Sequence, residues 1–455
     1  MSETAVSEGQ SLPRTLGFWD ACCLIAGSVI GSGIFLVTSD IAAQVHLPEL
    51  ILLVWVLAGC LSFCGALSYA ELGCLFPRAG GPYVFLREAF GPVWGYLFGW
   101  AMFGVIHTGS IAAVSVAFGR YLGEFFPFME GVGVKVAAVA AILILTAVNA
   151  LSTRCGASAQ NLMTGLKLAA LCILGFVTLA FGKGVVAASP SHSPEASGMG
   201  LLGAFGLAMI AALWAYDGWG NLTFTAGEIR DPGRNIPRSL FLGVGVVTLL
   251  YCVTNMGYLH VLPLDRIIQS QRVASDAAQA VLGLGGGKWI SAAILVSTLG
   301  CVNGMILAGP RIYYAMARDG LFFKGASGVH PRFLTPFGSV VAQGLWAVVL
   351  TLSGRYDELF TYVMFAAWIF YGLTVAALFV FRARGMESPY RAWGYPWVPA
   401  VFVAASGFLV LNTLHQRPRE SLLGLGIMLA GLPFFFFLKN RRKEVEYEGS
   451  CDPGS

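Results

Sequence analysis

Two short stretches of this sequence carry residue types that could hold a charged ligand: GSVIGSGIF at 27–35 and AYDGWGN at 215–221. Each interrupts an otherwise apolar run. Glycine inside a helix costs about 1 kcal/mol relative to alanine. An aspartate at the centre of a membrane helix costs about 2.5–3.5 kcal/mol. Both stretches therefore read as helix breaks. Past Gly31, Ser32 and Gly33 a new half-helix would start near Ile34. Its first N–H groups are unpaired and carry roughly +0.5 charge. They suit a carboxylate, which glycine allows to approach closely. The half-helices that end at the breaks would leave carbonyls free around Ala26 and Ala215, and free carbonyls suit an ammonium group. An anion site beside a cation site matches the two charged ends of a free α-amino acid. Alone, GSVIGSGIF could equally be a small-residue packing face.

The elements that position these stretches must lie in a membrane. Hydrophobic residues make up 56% of the 455-residue chain and charged residues 11%, against roughly 25% charged in soluble domains. Mean hydropathy is +0.72. So little charge cannot coat a soluble core of this size. The net charge of +4 gives no reason to expect a nucleic-acid partner. The N-terminal MSETAVSEGQSLPRT lacks the apolar core of a cleavable signal. The ten cysteines show no CxxC pair or metal spacing and read as small packing residues. No metal or cofactor is implied.

Apolar runs predict an all-α membrane protein of about twelve transmembrane helices, with limits near 16–43, 48–75, 91–119, 133–152, 157–182, 201–226, 238–262, 287–316, 337–354, 358–382, 397–414 and 421–438. With the N-terminus inside, inner loops and tails hold about twice as many Lys and Arg residues as outer ones, which places both termini in the cytoplasm. The terminal KNRRK reads as a stop-transfer flank. The two breaks fall in the first and sixth spans, corresponding members of two five-helix halves. Interrupted helices in matching positions point to a transporter built from inverted repeats, with its site near the bilayer midplane. Unwound backbone at that depth is tolerated where it lines a cavity or is buried in protein.

Other polar residues have simpler readings. Asp217 could meet a substrate amine or cap the second half of the sixth span. Glu71 is expected to pair with Arg78 or another basic loop residue. His107 reads as a satisfied core histidine, and Asn303 as a hydrogen bond to a neighbouring helix. Trp368 and Tyr371 could wall a pocket or simply pack.

The chain resembles the amino acid–polyamine–organocation superfamily, and within it the L-type amino acid transporters and their bacterial homologues. The resemblance rests on GSVIGSGIF, on SYAELGCLFPRAGGPYVFLREAFGP at 68–92 and on NALSTRCGASAQNLMTGLKLAAL at 149–171. It continues through WAYDGWGNLTFTAGEIRDPGRNIPRSL at 214–240 and LGCVNGMILAGPRIYYAMARDG at 299–320. These stretches span nearly the whole chain. The resemblance implies a LeuT-like 5+5 inverted repeat with broken helices 1 and 6. Residues 1–15 would be a cytoplasmic tail, 16–382 the transport core, 383–438 two additional helices and 439–455 a second tail. It implies sodium-independent transport of amino acids, usually by obligatory exchange, in the cell membrane. The substrate carboxylate would lie at Gly31, Ser32 and Gly33, flanked by Ile30 and Ile34. The amino group would lie at Trp214, Ala215 and Tyr216, with Asp217 and Gly218 completing that break and Trp214 as the gate. Lys167 would stand where sodium-coupled relatives hold an ion, tying the fifth span to carbonyls around Gly27–Ile30 and to groups near Ser297 and Cys301. The plainer alternative, a lysine reaching to the membrane surface, fits its depth less well, since it lies about ten residues past Ala157.

The sequence departs from the family pattern at two places. Relatives linked to a heavy chain carry a cysteine between the third and fourth spans, and GRYLGEFFPFMEGVGVK has none. No disulfide-linked heavy chain is therefore expected. Ala367 replaces a polar residue found in some relatives. With Ile34, Trp214 and Ser297, it leaves an apolar pocket suited to neutral amino acids. Two rivals to exchange are a proton-coupled symporter on the same fold, with Lys167 losing and regaining a proton, and a polytopic membrane enzyme or receptor. Against the latter, the sequence holds no HExxH, GxSxG or P-loop.

Overall fold

Six helices begin on a proline. Pro48, Pro82, Pro92, Pro232, Pro310 and Pro418 each sit in the first turn of their helix, where a missing N–H costs nothing and the ring presets φ. The structure is a computed structural model. It describes residues 12–439 apart from 124, 127, 129–130, 183, 185–199 and 354–355, and only the backbone at 284 and 356–363. The predicted KNRRK flank past Lys439 and most of both predicted tails lie outside the described residues.

In chain order the helices are α1 (Phe18–Val29), α2 (Gly33–Val45), α3 (Pro48–Leu75), α4 (Pro82–Phe90), α5 (Pro92–Ala101), a π-helical turn (Met102–Ile106), α6 (His107–Gly123), α7 (Val132–Leu151) and α8 (Thr153–Phe181). Then come α9 (Leu201–Ala215), α10 (Asn221–Phe224), a 3₁₀ turn (Ala226–Glu228), α11 (Pro232–Val261), α12 (Leu264–Gln269), α13 (Val273–Leu282), α14 (Leu284–Ala308) and α15 (Pro310–Arg318). The chain continues with α16 (Phe337–Ser353), α17 (Tyr356–Ala383), α18 (Trp397–Gln416) and α19 (Pro418–Leu429). Among the described residues, 9 helical stretches are long and apolar enough to cross a membrane, and 10 if α1 and α2, bent by 41°, count as one span. The helices α9 and α16 are apolar but shorter.

The interrupted helices lie inside the bundle. The first, α1, packs against α8, α11 and α14, while α2 packs against α9. The long helices α3 and α11 pack on each other, and α18 and α19 pack on α17. Three helices differ from the predicted spans. The short α4 sits between the second and third, and α12 and α13 occupy the predicted loop before α14 and pack on α2. Each is too short to register as a membrane-length apolar run.

Charged side chains pair at the helix ends. Glu71 takes Arg382 as its partner (2.9 and 2.6 Å) and also accepts from the Ala392 N–H (2.6 Å). Of the partners expected for Glu71, another basic residue is thus taken and not Arg78, which reaches Glu88 (2.7 Å). Glu228 and Arg311 form a bidentate pair (2.6 and 3.0 Å) with each side chain only 1% exposed. Beside it, Leu16 makes a short parallel bridge with Ile229. The Leu16 N–H donates to Glu228 O, and the Arg230 N–H to Leu16 O, each at 2.9 Å. The segment ahead of α1 is thus joined to the segment after α10.

Candidate functional site

Both breaks fall where the glycines predicted them. The first helix stops at Val29 and α2 starts at Gly33. The second break runs from Tyr216 to Gly220, turning at Gly218 with φ +116°, where L side chains are rarely found. The second half of that span is brief: one turn of α-helix and one of 3₁₀ replace the predicted run to 226.

The two breaks touch backbone to backbone. A Cβ on Gly33 would lie 2.7 Å from the Ala215 Cβ and 2.8 Å from its Cα. A Cβ on Gly218 would lie 2.9 Å from the Ser28 carbonyl carbon. Glycine is needed here for close approach as well as for the turn.

The carbonyls that end α1 can be accounted for one by one, as buried backbone groups require. Ala26 O accepts from the Ile30 N–H (2.9 Å), so it is not free as predicted. Gly27 O and Ile30 O accept from the Lys167 ammonium (2.8 and 2.6 Å), which also donates to Ser297 O (3.0 Å). Ser28 O accepts from the Cys301 thiol (3.1 Å). Ser297 Oγ lies 3.0 Å from Ile30 O and 3.3 Å from Gly31 O. Lys167 is buried, not extended to the membrane surface. The predicted group of Lys167, Ser297 and Cys301 thus converges on the end of α1.

Tyr251 on α11 was not foreseen. Its hydroxyl lies 3.1 Å from Val29 O and 3.0 Å from Ala215 O, spanning both breaks. The predicted free carbonyl of Ala215 therefore has a partner, though a carbonyl oxygen keeps a second lone pair. Further along the same helix Asn255 accepts from the Thr38 hydroxyl (2.6 Å), and Tyr258 donates to Ile34 O (3.3 Å). This polar stripe holds α2 in place. Its spacing in an apolar span was a readable signal.

A cavity opens between the breaks. Of the predicted residues, Gly31, Ser32, Gly33, Trp214, Ala215, Asp217, Gly218 and Cys301 line it. Ile30, Ile34, Tyr216, Lys167 and Ser297 do not. Tyr216 turns instead to Trp55, donating to its carbonyl (3.1 Å). The apolar pocket expected from Ile34, Ser297 and Ala367 is also corrected, since none of the three lines the cavity. Asp217 and Tyr371 do, with the tyrosine hydroxyl donating to the carboxylate at 2.5 Å. The N-cap of α10 is Gly220 with no side-chain bond, so the capping role considered for Asp217 is not made.

The third span supplies a further wall: Met102, Ile106, His107, Ser110 and Val114. Here the helix widens into its π-helical turn, and the Thr108 hydroxyl takes up the Phe103 carbonyl (2.7 Å) five residues back. Nothing in the sequence marks this widening. His107 is satisfied by Met305 O (3.0 Å), and Asn303 bonds to Gly156 O, Gln160 and Asn149, both as expected.

Of the three residues expected at the carboxylate, Gly31 has its N–H taken by Val29 O (2.8 Å), whereas the N–H groups of Ser32 and Gly33 have no hydrogen-bond acceptor among the described residues; the Phe35 N–H closes on Ser32 O (3.1 Å). The residues that line the cavity thus include two with unpaired N–H groups, Ser32 and Gly33, and one carboxylate, Asp217. Among the described residues no cluster of three or more His, Cys, Asp or Glu is placed to hold a metal.

Comparison with known proteins identifies the family. A family model described as Amino acid permease matches residues 16–432. The b(0,+)-type amino acid transporter 1 of Homo sapiens is 35% identical, over 94% of this chain and 88% of its own. The serine/threonine exchanger SteT of Bacillus subtilis is 34% identical over 96% and 99%. The large neutral amino acids transporter small subunit 2 of Mus musculus is 31% identical over 94% and 81%. On its sequence motifs, its paired helix breaks and these matches, the chain belongs to the amino acid permeases, in the L-type amino acid transporter family.

Proposed function

We propose that this protein transports amino acids by alternating access, exchanging one for another across the cell membrane without sodium. The observation that carries this reading is the cavity between the breaks, with the unpaired N–H groups at the start of α2 facing the end of α9. A substrate carboxylate would meet the N–H groups of Ser32 and Gly33. Its ammonium would meet Asp217 and the second lone pairs of the Trp214 and Ala215 carbonyls. Trp214, on the last turn of α9, would close over the substrate. Lys167 holds Gly27 O and Ile30 O by its own charge, a task for which a bound sodium ion is then not needed.

In this reading the first ten of twelve spans form a LeuT-like inverted repeat over 16–382, and 383–438 lie outside it. Both termini are cytoplasmic, and no disulfide-linked heavy chain is required. One relative is named a serine/threonine exchanger, and exchange follows if the empty carrier rarely reorients.

Counterflow in proteoliposomes tests this. Uptake should require amino acid inside and be unchanged when sodium is replaced. Uptake into empty vesicles that scales with a proton gradient would favour the symporter instead.

Neutral substrates are the primary reading, supported by the apolar wall of Met102, Ile106, Val114 and Met305 rather than by the residues first expected. Asp217 supports a second: its carboxylate in the cavity could receive a cationic side chain. Competition by arginine that disappears in Asp217→Asn, while competition by a neutral amino acid persists, would select this second reading.

A further inference from the structure

A second cavity lies at the membrane face that carries the N-terminal segment. Four arginines from four separate stretches line it: Arg14 ahead of α1, Arg78 after α3, Arg87 on α4 and Arg318 at the end of α15. Among its described lining residues the only carboxylate is Asp319. That carboxylate is already engaged by Arg87 and by the Tyr83 hydroxyl (2.6 Å). Glu88, just outside, accepts from Arg78 (2.7 Å) and Arg87 (2.8 Å). Two carboxylates therefore serve two arginines. Arg14 and Arg318 have no carboxylate partner among the described residues. Arg318 lies 5.8 Å from the centre of the Tyr314 ring and reaches its hydroxyl at 3.3 Å, which orients its guanidinium and leaves most of its donors unused.

The depth of the cleft matters. Arg318 is the last residue of the membrane-length stretch Gly285–Arg318, Arg78 follows the stretch Pro48–Leu75, and Arg14 precedes α1. The cleft thus sits at the ends of membrane-length stretches, the level at which headgroups lie in a bilayer. A guanidinium fork matches the oxygens of a phosphate group.

We propose that this cleft binds a phosphate-bearing anion, held chiefly by Arg14 and Arg318. The phosphate can belong to an anionic lipid headgroup or be free in solution, and one experiment separates the two. The full-length protein is placed in phosphatidylcholine nanodiscs, in nanodiscs containing phosphatidylglycerol, and in phosphatidylcholine nanodiscs with inorganic phosphate replacing chloride at constant ionic strength. Thermal unfolding is read for the natural protein, for R14Q/R318Q, and for R417Q/R419Q, which removes two exposed arginines, one between α18 and α19 and one in the first turn of α19, that do not line the cleft.

The natural protein and R417Q/R419Q should be stabilised by one of the two phosphate sources, and R14Q/R318Q should not. Apparent affinity should fall about fivefold per arginine removed, the factor that about 1 kcal/mol per basic residue near an anionic surface implies. R318K keeps the charge but loses the fork, and should lie between. Stabilisation by phosphatidylglycerol alone assigns the headgroup, and stabilisation by inorganic phosphate assigns the free anion. An unshifted natural protein overturns the proposal. So does an R14Q/R318Q response equal to that of R417Q/R419Q, which would mean diffuse surface charge only.

Discussion

Gly33 lies against Ala215 so closely that any side chain on the glycine would meet alanine backbone, 2.8 Å from its Cα. This contact joins the two interrupted helices where their unpaired groups face one cavity. Backbone cannot move aside as a flexible side chain can. Gly33→Val should therefore abolish counterflow while leaving membrane insertion and expression near normal, as judged by size-exclusion chromatography of the fluorescently tagged protein.

Gly31 is crowded differently. A Cβ there would meet the Cys301 Sγ at 2.9 Å, the end of a side chain. Gly31→Ala should lose activity, and adding Cys301→Ala should restore a large part of it. No second substitution at Cys301 should rescue Gly33→Ala. Equal rescue of both would show that the two glycines are not constrained separately.

Removing the Tyr251 hydroxyl withdraws the donor near Val29 O and Ala215 O. Val29 O keeps the Gly31 N–H (2.8 Å), so Ala215 O is the buried acceptor left unsatisfied, at a cost of about 1–3 kcal/mol. Tyr251→Phe should lower the thermal midpoint accordingly and weaken substrate affinity, measured as a rise in KM, because both break carbonyls lose their common anchor. A variant with an unchanged midpoint and an unchanged KM would remove Tyr251 from the account.

Glu228 and Arg311 should behave as a buried pair. Breaking such a pair from one side costs about 3–5 kcal/mol, because the remaining charge is stranded. Arg311→Leu should destabilise strongly, and Glu228→Gln/Arg311→Leu should be the milder change. Chemical unfolding in detergent across the double-mutant cycle measures the difference; additive effects would contradict direct coupling.

Much of this arrangement was legible in the sequence because glycine and aspartate are costly inside membrane helices. That cost marked Gly31, Gly33, Asp217 and Gly218, and the depth of Lys167 marked the lysine. Which carbonyls stay free was not legible. Ala26 O is closed by its own helix, and Ala215 O by a tyrosine 36 positions away in the chain. Side-chain direction was also hidden: Tyr216 sits in the break yet turns to Trp55, whereas Tyr371, from a helix far along the chain, reaches Asp217. The π-helical turn at Met102–Ile106 depends on packing that no residue pattern announces. The short helices α4, α12 and α13 fall below the length that an apolar run needs to stand out.

The account's central claim is that one ligand bridges the two breaks through both of its charged ends. The most direct test measures binding to the purified protein for each of the twenty amino acids, and then for the best binder with its carboxylate amidated or its amino group acetylated. The account predicts that at least one free amino acid binds, that either modification abolishes its binding, and that Gly33→Val loses binding of the unmodified form as well. Binding that survives both modifications, or that is unchanged in Gly33→Val, would contradict it.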